Sequence, residues 1–181
     1  MQHLKENPTI GNSQLQPMYN FAKAKHDATG AIRKHSGHSY WEHPSGVADI
    51  AAAYGGTDVE IQAALAHDTL EDTSTTYDEL CDKFGTDVAD IVSEVTNDNG
   101  EIAKTGKENY IDNELCTISH PALFVKLCDI YYNTKDFPNE EQRDRMICNV
   151  EYLLRNRDDL ESRELDLIDA ILTGIDDSGE E

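Results

Sequence analysis

Positive charge is scarce in this chain. Fifteen Lys and Arg stand against 36 Asp and Glu, a net charge of −21. Such a surface repels phosphodiester backbones and anionic lipid, which argues against non-specific grip on nucleic acid or on a membrane. It also sets a condition: an anionic substrate needs a local basic pocket or a bound metal. Acidity alone can simply serve solubility, and that accounts for much of it. Long apolar runs are missing as well. None approaches the 18 residues of a membrane span, and the first ten residues, "MQHLKENPTI", are too polar for a secretory leader. The four cysteines (Cys81, Cys116, Cys128, Cys148) show no C-x-x-C spacing, so zinc-finger ligation is not expected. They read as packing thiols in a reduced, cytoplasmic compartment. Strand-like alternation and internal repeats are also lacking.

What is present is helical spacing. At 181 residues, with 38% hydrophobic content, the chain suits one domain with tails. Residues 1–15 read as a loose polar arm, 16–175 as the domain and 176–181 as an acidic tail. "MYNFAKAKHDA" places Met18, Phe21 and Ala22 on one helix side. Residues 29–42 have no period and read as a loop. "HPSGVADIAAAYGG" follows, with Pro44 tolerated in a first turn. "TDVEIQAALAHDTLED" opens on a Thr/Asp cap signal and reads as one helix through Asp72. "TTYDELCDKFG" and "TDVADIVSEVTND" are helical, while "NGEIAKTGK" is loop-like. "ENYIDNELCTI", the very apolar and therefore central "PALFVKLCDIYYNTKD", "NEEQRDRMICNVEYLLRN" and "ESRELDLIDAILTG" complete the set. The expected fold is all-α, a bundle of about eight helices.

The chemistry gathers at "HDTLEDT", residues 67–73, straight after the apolar "IQAALA". On a helix, His67, Asp68, Glu71 and Asp72 fall within an arc of roughly 140°. One face then carries an imidazole and three carboxylates. Removing such charge from water is costly unless a cation or protons compensate it. A divalent metal does so, and His with Asp suits a borderline ion such as Mn, Fe or Zn. A His-Asp dipeptide by itself is weak: with 7 His and 20 Asp, roughly one is expected by chance. A second, His26-Asp27, reads as a surface pair on an ordinary amphipathic helix. Two further segments supply partners for the first. His43 begins a helix in "YWEHPSGVADI". Asp129 lies mid-helix in "FVKLCDIYYNTKD", flanked at −3 and +4 by Lys126 and Asn133. Asp129 could equally be neutralised by Lys126, and His43 could simply bond locally.

The stretches "RKHSGHSYWEHPSGVADI", "IQAALAHDTLEDTSTTYDELCDKFGTDVADIVSEVTND" and "FVKLCDIYYNTKDF", in this order, resemble the HD-domain hydrolases of the alarmone (Rel/Spo) group, especially the small stand-alone hydrolases. The likeness runs over about residues 21–137. It implies an all-helical bundle and a metal, by family habit Mn²⁺, on His43, His67, Asp68 and Asp129. Glu71 and Asp72 match the acidic pair that handles the attacking water. Arg33 and Lys34 match a basic pair, and Lys126 and Asn133 match residues lining the nucleotide site. The implied substrate is guanosine 3′,5′-bis(diphosphate), cleaved at its 3′ diphosphate. Tyr40 reads as core.

The pattern also departs from its relatives. Ser39 stands where a proline is usual, and Asn99 where a lysine is expected. An Arg-x-x-x-Tyr pair has no match, leaving Arg143 and Arg145 as candidates without the tyrosine. Other nucleotides therefore stay open as substrates: a dNTP, a nucleoside monophosphate or the 2′-phosphate of NADPH. So does a non-catalytic nucleotide-binding module.

Overall fold

The structure, a computed structural model, describes residues 14–33, 37–136 and 139–174. Lys34, most of the expected N-terminal arm and the acidic tail lie outside the described residues. Among the described residues, eleven helical segments run in order: α1 (Gln16–Thr29), α2 (Glu42–Ala53), α3 (Asp58–Ala66), α4 (Thr69–Asp72), α5 (Tyr77–Phe84), α6 (Thr86–Val95), α7 (Asn99–Thr105), α8 (Lys107–Thr117), α9 (His120–Asp136), α10 (Glu140–Asn156) and α11 (Ser162–Thr173). Among the described residues the only β feature is an isolated bridge, Ile32 to Ser39, across the loop before α2. The all-α expectation holds. No helix among the described residues is long and apolar enough to cross a membrane.

α9 is the axis of the bundle. It packs against α2, α3, α6, α10 and α11. Ala122, Leu123, Phe124, Val125, Leu127 and Cys128 are all buried, because a helix apolar around most of its circumference must be enclosed. The helix is therefore a rigid platform, and Asp129 projects from its second half.

Three local expectations are corrected. First, the helix from Thr57 does not run through Asp72. It starts on a capping box in which Thr57 and Glu60 satisfy each other's backbone N–H. It stops at Ala66, because side chains take the carbonyls that would continue it. His67 Nδ1–H donates to Ala64 O at 2.8 Å and Thr69 Oγ1–H to Ala66 O at 2.7 Å. Asp68 sits in the sparse bridge region, φ −94°, ψ −1°. Second, "NGEIAKTGK" is not a loop. Asp98 accepts from Gly100 N and Glu101 N, which starts α7, and Gly106 ends it at φ 84°. Third, Leu15, assigned to the loose arm, is buried in the core and its carbonyl accepts from Tyr19 N.

Candidate metal centre

Four side chains from three separate segments meet. The start of α2 brings His43, the break after α3 brings His67 and Asp68, and α9 brings Asp129. The Nε2 atoms of His43 and His67 stand 3.2 Å apart. Asp129 Oδ1 lies 3.1 Å from His43 Nε2 and 3.9 Å from His67 Nε2. Asp68 Oδ2 lies 3.1 Å from His67 Nε2 and 3.5 Å from His43 Nε2. Ligand atoms of His43, His67 and Asp129 fall within 4.8 Å of one another. Ligands about 2.0–2.2 Å from one ion have separations in this range.

The break in the helix matters here. In a continuous helix successive side chains diverge by about 100°. At the turn, His67 and Asp68 instead converge on one point. The bond to Ala64 O fixes the proton of His67 on Nδ1, which aims the Nε2 lone pair of the neutral ring at the centre. The two facing Nε2 atoms lie at hydrogen-bond distance, with the carboxylate oxygens of Asp68 and Asp129 close by. A cation between them, with a carboxylate oxygen on either side, satisfies all four groups, so the residues present fit a divalent metal.

Without a cation, protons do this work. Burial pushes the His67 imidazolium down, but the Asp68 carboxylate outweighs it and lifts the pKa to about 9. Burial pushes Asp68 up, yet the two imidazoles and the Tyr40 hydroxyl hold it well below the usual carboxylate range. Asp129 is likewise held low against burial, chiefly by His43.

The other residues singled out in the sequence are arranged around this point. Arg33 Nη2–H donates to Asn133 Oδ1 at 3.2 Å, and Asn133 Nδ2–H donates to Asp129 Oδ1 at 2.7 Å. Glu71 is exposed and accepts from Asn97 Nδ2–H at 2.9 Å. Asp72 is exposed too, its pKa raised first by partial burial and then by Asp68. Lys126 does not neutralise Asp129 directly. Its Nζ lies 3.3 Å from Glu114 Oε2 and donates to Val95 O at 3.2 Å.

A cavity of about 330 Å³ adjoins the centre, lined in part by Asn97, Lys107, Lys126, Asp129, Asn133 and Arg145. That volume suits a small-molecule ligand. Arg145 is therefore on the wall, whereas Arg143 lies beside Gly174, with Nη2 3.3 Å from where a Cβ there would stand.

Three side chains escaped the sequence reading. Tyr40 is not inert core: its hydroxyl donates to Asp68 Oδ2 at 2.8 Å. Asn97 holds Glu71. His26 is not a surface residue but 1% exposed, stacked on Tyr40. The stripe Met18, Ala22, His26, spaced by four, carried that signal.

Comparison with known proteins points to one family. Residues 19–109 match the family model described as HD domain. The guanosine-3′,5′-bis(diphosphate) 3′-pyrophosphohydrolase MESH1 of Danio rerio is 45% identical over 119 residues, 65% of this chain and 65% of that protein. An enzyme of Aquifex aeolicus, also named guanosine-3′,5′-bis(diphosphate) 3′-pyrophosphohydrolase, is 41% identical over 125 residues, 67% of this chain but 17% of its own length. The chain thus spans under two thirds of these two relatives. The solved structure of a metazoan ortholog of SpoT, described as hydrolysing ppGpp, superposes with a TM-score of 0.74 at 24% identity, covering 90% of this chain and 96% of that one. At that identity the superposition speaks for the fold. With half of its length matched by the family model, and its helices carrying the His-Asp cluster that the model spans in part, this chain belongs to the HD-domain family.

Proposed function

We propose that this chain is a divalent-metal phosphohydrolase whose substrate is guanosine 3′,5′-bis(diphosphate), split by water into GDP and pyrophosphate. The observation that carries the reading is the convergence of His43, His67, Asp68 and Asp129 beside a cavity of nucleotide size. The names of the relatives supply the substrate. In this reading the four residues hold a divalent cation, a mixed nitrogen and oxygen set that suits Mn, Fe or Zn; Mn²⁺ is taken from the resemblance to the alarmone hydrolases. When bound, the cation lowers the pKa of water and neutralises phosphate charge.

The chain's own groups do the rest. Glu71 and Asp72, one turn beyond the ligands, orient the attacking water and take its proton. Burial first, and then the neighbouring Asp68, raise the pKa of Asp72, which favours it as the proton acceptor. Asn97 fixes Glu71. Arg33, on its Asn133 and Asp129 chain, reaches toward the phosphates; Lys34, next in sequence, is assigned the same role from the resemblance alone. Lys126 and Asn133 line the nucleotide cavity. Its charged lining is three basic residues (Lys107, Lys126, Arg145) against two acidic (Glu108, Asp129), whereas the chain as a whole is 15 against 36. Lys126 is offset by Glu114, so the wall is near balance where the chain is strongly acidic, and that local relief favours an anionic ligand. We assign the protein to a reducing cytoplasm, in keeping with four free cysteines.

The test is direct. Purified protein with Mn²⁺ and the alarmone should release pyrophosphate. Bound metal without turnover removes this substrate. A different nucleotide is favoured by one observation, the single cavity arginine, Arg145, where relatives pair an arginine with a tyrosine. A panel of dNTPs, nucleoside monophosphates and NADPH, compared by kcat/KM, decides between them.

A further inference from the structure

Tyr40 has an unusual position for a residue outside the ligand set. Its hydroxyl donates to Asp68 Oδ2, the same oxygen that lies 3.1 Å from His67 Nε2 and 3.5 Å from His43 Nε2. The hydroxyl therefore acts on the carboxylate oxygen that faces the imidazole pair. The Asp72 carboxylate opposes ionisation of the phenol as well, after burial and Asp68. One phenol thus holds the aspartate that faces both imidazoles.

The ring is clamped from several sides. His26 stacks on it, centroids 5.3 Å apart and planes 30° apart. The Arg33 guanidinium lies 6.0 Å from its centre, and its edge meets His43 at 5.9 Å. His26 has no hydrogen-bond partner on either ring nitrogen. Burial holds it neutral, its pKa near 4. An unpaired buried imidazole is a costly choice of side chain. What it contributes here is a flat face, and that face fixes where the Tyr40 hydroxyl points.

A carboxylate can rotate and present either oxygen. Carboxylates that ligate metals are themselves held by hydrogen bonds, and loss of such a bond typically weakens metal binding 10–100-fold. We propose that Tyr40, seated on His26, is a positioning residue that holds Asp68 in the orientation a divalent cation requires. The inference rests on the metal-centre reading above but not on the identity of the nucleotide.

The experiment titrates Mn²⁺ into metal-free wild type, Tyr40→Phe, His26→Phe and His26→Ala, each well below its own melting temperature. Free Mn²⁺ is followed by its aqueous electron paramagnetic resonance signal. Tyr40→Phe should raise the Mn²⁺ Kd about 10–100-fold, with the nucleotide KM at saturating Mn²⁺ unchanged. His26→Phe keeps the flat platform and should bind Mn²⁺ close to wild type. His26→Ala removes it and should weaken binding. If His26→Ala does not fold, the two phenylalanine variants carry the test. A wild-type Kd in Tyr40→Phe overturns the proposal. So does an unchanged Kd with a raised nucleotide KM, which would make Tyr40 a substrate contact. Weakened Mn²⁺ binding in a protein that turns over no alarmone upholds this inference while sinking the proposed substrate.

Discussion

At Gly46 a single carbon decides whether α2 and α9 can meet. A Cβ there would land on Cε2 of Tyr132, 2.7 Å from Cδ2 and 3.0 Å from Cζ. The ring has little room to yield. It abuts His43 edge-on at 5.1 Å between centroids, and the Arg33 guanidinium lies 5.8 Å from its centre. Gly46→Ala therefore has two opposed effects. Alanine improves a helix interior by about 0.8–1.0 kcal/mol. Overpacking costs about 1–3 kcal/mol, and a contact this close against a wedged ring puts it at the upper end. The net loss is about 2 kcal/mol, or about 4–8 °C in Tm for a domain of this size. His43 and Asp129 sit on the two helices being forced apart, so Mn²⁺ affinity should fall with stability.

Circular dichroism melting and a Mn²⁺ titration measure both quantities. A double-mutant cycle isolates the cause: with Tyr132→Ala in place the clash is gone, and Gly46→Ala should then stabilise by about 1 kcal/mol. A rise in Tm from Gly46→Ala in the wild-type background would refute the reasoning, since it would show that Tyr132 gives way at no cost.

Other perturbations separate the roles at the site. Asp68→Ala should lose Mn²⁺ binding and turnover together, whereas Glu71→Gln should bind Mn²⁺ and lose most turnover; full activity of Glu71→Gln refutes its role in handling water. His67 has its pKa raised to about 9 from 6.5, so the stability its proton gives the cation-free protein is complete below pH 6.5 and disappears as pH rises through 9. Mn²⁺ competes for that position, so over the same window the metal-free Tm should fall while Mn²⁺ affinity, measured under argon, should climb; parallel trends would contradict this. Asp98→Ala removes the acceptor of two N–H groups at the start of α7 and should cost about 1 kcal/mol, seen as faster amide exchange confined to 99–105.

The sequence discloses what burial and charge enforce. α9 is legible because its apolar residues cover too much of its surface for any site but the core. That Asp129 needs a partner is legible from a mid-helix aspartate after "FVKL"; that the partners are His43, His67 and Asp68 and not Lys126 is implied only by the resemblance. What is hidden depends on groups brought together by the fold. Nothing within one helix says that Lys126 pairs with Glu114, twelve positions away on α8. α7 has no buried residue, so it leaves no apolar period and only Asp98 and Gly106 mark its ends. The break after Ala66 comes from side-chain bonds to carbonyls, which hydrophobic spacing does not register. His26 could have been found, since it continues the Met18 and Ala22 stripe, but the surrounding "AKAKHD" reads as solvated.

Charge also limits how the site can recruit a nucleotide. Asp68, Asp129, Glu114 and Lys126 are each no more than a fifth exposed along the side chain. Burial pushes the Lys126 ammonium down, but Glu114 and Asp129 outweigh it and keep it charged, so Glu114 and Lys126 cancel. Two aspartates and two imidazoles remain, a charge of −2 that a divalent cation neutralises and does not exceed. Attraction of an anion then falls to Lys107 and Arg145 on the cavity wall, opposed there by Glu108, and to Arg33, against the field of a chain at −21. The two act over different ranges. At 10 mM salt the screening length is about 30 Å and the whole acidic surface repels the nucleotide; at 150 mM it is about 8 Å and the wall dominates. Raising salt between these limits should therefore increase kcat/KM, opposite to the usual behaviour of a basic nucleotide-binding protein. A steady decrease would mean that the wall cations, and not the acidic exterior, set the approach of substrate at every distance.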